Sequence, residues 1–437
     1  MNKKGVTMMN LMKRFNKIVP LLLALALFFS GCGGSDEEQQ PGVTTITFFT
    51  MQLRPTFDEY FQNIFDEFEK THPDVNIEWQ DYPAQDYDTK LLTSYMGDDP
   101  PDVINLTAQM VPKFTNRNLL LDLETVLPQE TIDSYFQNVV DDACTVGDAV
   151  YALPWYLATS VGMVNMAIFR EAGLTEEDIP ETYEELWDVA EIIRDKTDKY
   201  AFFPIYTEAG ALRGHLIDAG VDILNDDETK AIFNTPKAVE VFKFWADYYK
   251  EDLAPSEALT AMHRRPIELF KSGRLAIFQS GPQFLKHVKS DAPDVYKNTV
   301  IIPRLHWEGK EIYTIDVHNV AVSDRAEDKD LAAEFAAFVT NGANQLEFAK
   351  LTTIIPSVKS AVEDPYFTNV EDTPKGKSRK IAAQVIKKGV VVRTPKKHSG
   401  KLFRVMDQVM EDVCLGEMTP EEGLKYAEDK WNEILQD

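Results

Sequence analysis

Neighbouring carboxylates are the residues of this 437-residue chain whose types and spacing come nearest to chemistry. Asp98-Asp99, Asp141-Asp142 and Asp226-Asp227 could each supply an acid for a glycosidase dyad, whose two carboxyls stand roughly 5 to 10 Å apart across a sugar. With 71 acidic residues in the chain, adjacent acids need no catalytic explanation, and solvated loop ends account for them. The seven histidines show no pair at i, i+3 or i+4, so no helix face offers a transition-metal site. GxGxxG, GxxxxGK[ST], GxSxG and HExxH are all absent, and Gly376-Lys377-Ser378 lacks the earlier glycine of a phosphate loop. These absences weigh against nucleotide-dependent, metal-dependent and serine-nucleophile chemistry. No cofactor and no metal are expected.

A second chemistry remains, recognition without reaction. Aromatic faces and planar amides hold sugars, the former against C–H faces and the latter through hydroxyl hydrogen bonds. Of six tryptophans, Trp187, Trp245 and Trp431 fall at helical core spacing and Trp79 in an alternating run, so packing explains them. Trp307, in the run HWEGKE, is expected on a surface turn, which leaves Trp155 with its neighbour Tyr156.

The elements that must position such residues alternate. Val43 to Phe49 is β-branched and aromatic and predicts a strand. Phe57, Tyr60, Phe61, Ile64, Phe65 and Phe68 share one helical face, Pro73 stops that helix, and Val75, Ile77 and Trp79 alternate as a second strand. A strand, helix, strand unit favours parallel pairing with a right-handed crossover. Tyr87 to Tyr95 predicts a helix, Asp102 to Leu106 a short strand, and Phe114 to Leu123 a passage from helix to loop. Thr182 to Ile193 predicts a helix, and Thr235-Pro236 an N-cap with proline at the first helical position before Val239, Phe242, Trp245 and Tyr249. Strands follow at Arg274 to Gln279 and Ile312 to Val322, and helices at Asp330 to Val339, Leu402 to Val413 and Glu421 to Leu435. The fold class is α/β. Gln52 lies after the first strand and Gln109 after the third, at the carboxyl ends where open α/β sheets present ligands. Asp102 is expected to brace its strand.

Composition bounds the setting. Lys3, Lys4, Lys13, Arg14 and Lys17 precede an apolar block, Ile18 to Phe29, too short to span a hydrocarbon core of about 30 Å. It reads as an export signal over residues 1–31. Gly33 to Gly42 holds no apolar residue to bury and reads, with Cys32, as a tether over residues 32–42. The net charge of −26 disfavours nucleic acid as a partner. Cys144 and Cys414 are expected as two unpaired buried thiols, with a single bridge between them as the alternative.

Two resemblances extend this reading. Phe29-Ser30-Gly31-Cys32 is similar to a bacterial lipobox, except that Phe29 replaces the usual leucine. That similarity implies acylation of Cys32 and a mature protein anchored to the cell membrane outside the cytoplasm. The body resembles the carbohydrate-binding extracellular solute-binding proteins of bacterial ABC importers. The segments that carry the likeness include FDEFEKTHPDVNIEW (Phe65 to Trp79), LLTSYMGDDPPDVINL (Leu91 to Leu106), AVYALPWY (Ala149 to Tyr156), IFNTPKAVEVFKFWADYY (Ile232 to Tyr249), LFKSGRLAIFQSGP (Leu269 to Pro282) and EMTPEEGLKYAEDKWNEIL (Glu417 to Leu435), in that order. The resemblance implies a monomeric binding protein, not an enzyme, with a two-lobed periplasmic-binding-protein fold. A sugar or oligosaccharide would be captured in the interlobe cleft by hinge closure and delivered to the transmembrane subunits of an ABC permease. One lobe would take residues 43–157 plus 314–354, the other 158–313 plus 355–437.

Site residues follow from the same resemblance. Trp155 and Tyr156 match the family's interlobe crossing, with hinge packing as the alternative for Trp155. Gln279, Ser280 and Gln283 stand where relatives often carry Gly-x-Trp, here Gly281-Pro282-Gln283, and the missing tryptophan implies a more polar wall. Asp316 and His318 occupy a stretch usually rich in glycine, either as ligand contacts or as a satisfied structural pair. Arg54 and Arg393 become candidates if the sugar is acidic. An exported glycosidase, or a binding protein for a polyamine or phosphorylated polyol, remain the alternatives.

Overall fold

The computed structural model describes residues 42–97, 99–208, 210–225, 228–260, 264–391, 395 and 398–436. The export signal, Cys32, Asp98, Asp226-Asp227 and Arg393 lie outside the described residues.

Thirteen strands can be followed: β1 Thr44–Met51, β2 Val75–Tyr82, β3 Val103–Thr107, β4 Thr145–Val146, β5 Ala149–Val150, β6 Leu153–Thr159, β7 Val161–Asn165, β8 Tyr200–Phe202, β9 Leu275–Ser280, β10 Thr299–Pro303, β11 Tyr313–Val322, β12 Ile355–Pro356 and β13 Gly389–Val391. They form a seven-stranded sheet in the order β12-β6-β11-β3-β1-β2 with β13 beside β11, a four-stranded sheet in the order β10-β7-β9-β8, and the small β4-β5 hairpin. β1 runs parallel to both β2 and β3, the crossover geometry expected of strands separated by helices. β11 enters antiparallel between β3 and β6.

The helix between β1 and β2, Asp58–Thr71, buries Tyr60, Phe61, Ile64, Phe65 and Phe68 on the face its periodicity predicts. Each such side chain contributes about 1.5 to 3 kcal/mol when moved from water to the core. Around the four-stranded sheet, Tyr183–Thr197 begins with a capping box between Thr182 and Glu185. Pro236–Lys250 begins with Thr235 accepting from Ala238 and proline in its first turn. Asp102 accepts the Thr47 backbone N–H at 2.8 Å, tying β3 to β1.

Where the chain passes between the sheets, only Ser160 separates β6 from β7. Gly162 is required there, because a Cβ would meet the Ile302 side chain at 2.5 Å. Residues 304–312 carry the chain back from β10 to β11. The expected boundary, with everything from residue 355 in the second lobe, differs from the pairing: Ile355 pairs with Leu157 and Gly389–Val391 with Tyr313–Ile315, both on the seven-stranded sheet. Strands of two and three residues carry too little pattern to be read from sequence. Cys144 and Cys414 are free and buried.

Candidate functional site

Register places a row of side chains across one end of the seven-stranded sheet. Pro356 pairs with Tyr156, Tyr156 with His318, and His318 with Thr107. β1 pairs in parallel with β3 through Phe48–Val103 and Phe49–Ile104, and Gln52 directly follows the last residue of β1 at the same end of the sheet. At about 4.8 Å per step, the neighbouring strands β6, β11, β3 and β1 span roughly 14 Å at this end, enough for a ligand of more than one ring. Gln109, exposed, follows two residues beyond Thr107, and Asp316, exposed, lies two residues before His318 on the same side of β11. Gln52, Gln109, Tyr156, Asp316 and His318 therefore share one edge, at the carboxyl ends of the parallel strands.

Gln52 is exposed at φ 56°, a left-handed conformation that costs a side-chain-bearing residue about 1 to 2 kcal/mol. Asp81, at the end of β2, holds the turn around it. Its carboxylate accepts from Thr50 Oγ1 at 2.7 Å and from the backbone N–H groups of Leu53 and Arg54 at 3.1 Å. Sequence reasoning passed over Asp81, because its partners stand 27 to 31 residues away and only the pairing of β1 with β2 brings them together. Arg54, the candidate for an acidic sugar, stacks its guanidinium 4.3 Å over the Trp79 ring and pairs with Asp58 at 3.3 Å. Gln52, Arg54, Pro55, Asp58, Asp81 and Pro83 line an open recess of about 640 Å³.

Tyr156 and His318 stack with ring centroids 4.6 Å apart and planes 12° from parallel. Burial holds the His318 imidazole down at about 4, so it is neutral at physiological pH, and raises the Tyr156 phenol. His318 Nδ1 has no hydrogen-bond partner among the described residues. Asp316 is open to solvent yet surrounded by enough protein to raise its carboxyl above the ordinary value.

Trp155 is placed differently from the ligand-platform expectation. It is fully buried, set against Phe48, Phe61 and Phe348, and presents no face to a ligand. A register shift on β6 accompanies this placement: Pro154 pairs with Asn319 and Tyr156 with His318, so Trp155 is the extra residue between them, its ring buried 5.1 Å from that of Tyr156, which stays partly open. The expected surface turn at Trp307 also differs. Its ring is buried against Tyr183 and Phe244, and its indole N–H donates to the His215 carbonyl.

On the four-stranded sheet, Gln279 is half-buried with its amide oxygen accepting from Leu305 N–H at 2.8 Å, so this acceptor braces the 304–312 crossing rather than standing free for a ligand. Ser280 pairs with Val161 beside the β6 to β7 passage, and Gln283 is exposed two residues past Gly281. Pro282 shares a small recess with Ile354, Ile355 and Tyr366, which brings the loop after β9 against the edge of the seven-stranded sheet. Among the described residues, no group of three or more His, Cys, Asp or Glu is placed to hold a metal ion, and no helix is long and apolar enough to cross a membrane.

Two sheets linked by several passages, with an open row of polar and aromatic side chains on the edge of one, form the frame of a binding protein, and residues 63–375 match the family model of the bacterial extracellular solute-binding proteins. The chain belongs to that family. A solute-binding protein of this kind works outside the cytoplasm. Its similarity to the diacetylchitobiose binding protein DasA of Streptomyces coelicolor is 23% identity over 77% of this chain and 80% of that one. To the galactooligosaccharide-binding protein of Bacillus subtilis it is 23% over 82% and 83%. Among solved structures, a candidate oligosaccharide periplasmic-binding protein from Synechococcus sp. MITs9220 superposes with a TM-score of 0.80 at 29% identity, covering 90% of this solute-binding protein and 99% of that chain. The cyclic alpha-maltosyl-1,6-maltose binding protein of Arthrobacter globiformis shares the fold with a TM-score of 0.78 at 22% identity, over 90% and 100%. The solute-binding protein therefore has the two-lobed periplasmic-binding-protein fold.

Proposed function

We propose that this protein captures a sugar or oligosaccharide between its lobes, closes on it by hinge motion, and delivers it to an ABC permease without changing a covalent bond. The observation that carries the reading is the row Tyr156, His318, Gln109 and Gln52 along one sheet edge, an aromatic stack followed by amides. That is the combination a polyhydroxylated ring needs, a flat apolar face and planar hydrogen-bonding groups. Relatives named for diacetylchitobiose and galactooligosaccharide binding support the cargo class. The hinge is assigned to Ser160 and residues 304–312, with a further passage between β12 and β13. A ligand touching both sides shifts the balance toward closure by its differential affinity for the two states. The export signal and Cys32 fit a monomer tethered to the membrane by acyl chains.

Thermal-shift screening of the purified protein against carbohydrates tests the reading. A ligand present at 100 times its Kd adds about 2.7 kcal/mol to stability. Mass spectrometry of the recovered ligand should return it uncleaved. Accumulating hydrolysis product would favour the glycosidase alternative, and stabilisation by polyamines or phosphorylated polyols alone would change the cargo.

A further inference from the structure

Charge is distributed unevenly along the row. Asp81 is committed to the turn that carries Gln52, and Arg54 is committed to Asp58 and the Trp79 ring. Asp316 is not committed: among the described residues it has no hydrogen-bond or ion-pair partner, although the surrounding protein leaves it only partly hydrated. Its cross-strand neighbour on β6 is Ala158, whose single methyl leaves the carboxylate uncovered. Two residues along the same side of β11 stands His318, stacked on Tyr156 and uncharged at neutral pH, so the stack brings no positive charge to balance Asp316. An accessible carboxylate without a protein partner is free to accept from a ligand, and charge-assisted hydrogen bonds are the strong ones.

Building on the carbohydrate reading, we infer that Asp316 sets the charge preference of the cleft. Its carboxylate accepts hydrogen bonds from a sugar unit carrying hydroxyl or ammonium donors, held beside the Tyr156–His318 stack. The same charge repels a unit that carries a carboxylate or phosphate.

The test is calorimetric titration of the mature chain with matched oligosaccharides: cellotriose and its glucosamine counterpart, and α-1,4-galactotriose and its galacturonate counterpart, each against the parent, Asp316→Asn and Asp316→Ser. The neutral or amino members should bind, and the galacturonate should bind at least tenfold more weakly than galactotriose. Both variants should keep the unliganded Tm while losing fivefold or more in affinity for the preferred member, and the gap between galactotriose and galacturonate should narrow. Tightest binding by the galacturonate, or an unchanged affinity in Asp316→Asn, overturns the inference and leaves the carbohydrate reading standing. If no member binds the parent while polyamines or phosphorylated polyols do, the carbohydrate reading itself falls, and the inference with it.

Discussion

Tyr156 and His318 face each other across the β6–β11 pair at 4.6 Å, nearly parallel, and form the aromatic surface nearest the ligand row. The adjacent Trp155 is fully buried and packs directly against Tyr156, with ring centroids 5.1 Å apart. One strand thus serves both purposes with neighbouring residues. The larger ring holds the fold and the smaller one keeps partial access to solvent.

Separating those two roles is the first prediction. Trp155→Ala should cost about 3 to 5 kcal/mol in denaturant unfolding, as expected for a truncated buried aromatic, while calorimetry on the folded protein shows nearly unchanged affinity. Tyr156→Ala should do the reverse, weakening the best carbohydrate ligand by about 1 to 2 kcal/mol. A large affinity loss confined to Trp155→Ala would reverse the assignment.

Gln52 offers a second separation, because its backbone is strained and its side chain is exposed at the row's end. Glycine adopts φ 56° without steric cost. Gln52→Gly should raise stability by up to about 1 kcal/mol and lower ligand affinity. Raised affinity would remove Gln52 from the site.

Asp407 predicts a pH effect far from the ligand row. Its carboxylate accepts the Gly210 N–H at 2.9 Å, yet partial burial pushes it up to about 6 from an ordinary 3.8. Between those values the folded chain keeps a proton that the unfolded chain releases. The stability this supplies is full below pH 4 and is lost as pH rises through 6. Asp407→Asn should therefore leave Tm nearly unchanged at pH 4 and raise stability at pH 7 by roughly 1 kcal/mol, an amount discounted for solvent exposure. A pH-independent difference would show that the shift is absent.

Cys32→Ser tests the anchor. The parent should sediment with membranes and take up labelled fatty acid, while the variant should appear in the soluble extracytoplasmic fraction without label. Equal fractionation of the two would remove the lipid from the account.

Much of the fold was legible because it is local. The apolar face of Asp58–Thr71 and the caps at Thr182 and Thr235 need only neighbouring residues. What escaped depends on distant partners. Trp155 drew attention as an aromatic at a crossing, but it is the extra residue at a register shift that only the pairing of β6 with β11 reveals. Asp81 looked like one acid among many until strand pairing set it under the Gln52 turn. Gln279 was placed beside the ligand loops, but its amide oxygen satisfies the Leu305 N–H left after β10 ends. The short strands β12 and β13 had no periodicity to read.

Closure around the ligand is the central claim, and small-angle X-ray scattering measures it directly. With the tightest carbohydrate from the screen at saturation, the radius of gyration should fall and the scattering curve should move to that of a more compact particle. An unchanged curve at a concentration where calorimetry shows full occupancy would contradict a binding protein that works by shutting its lobes on a sugar.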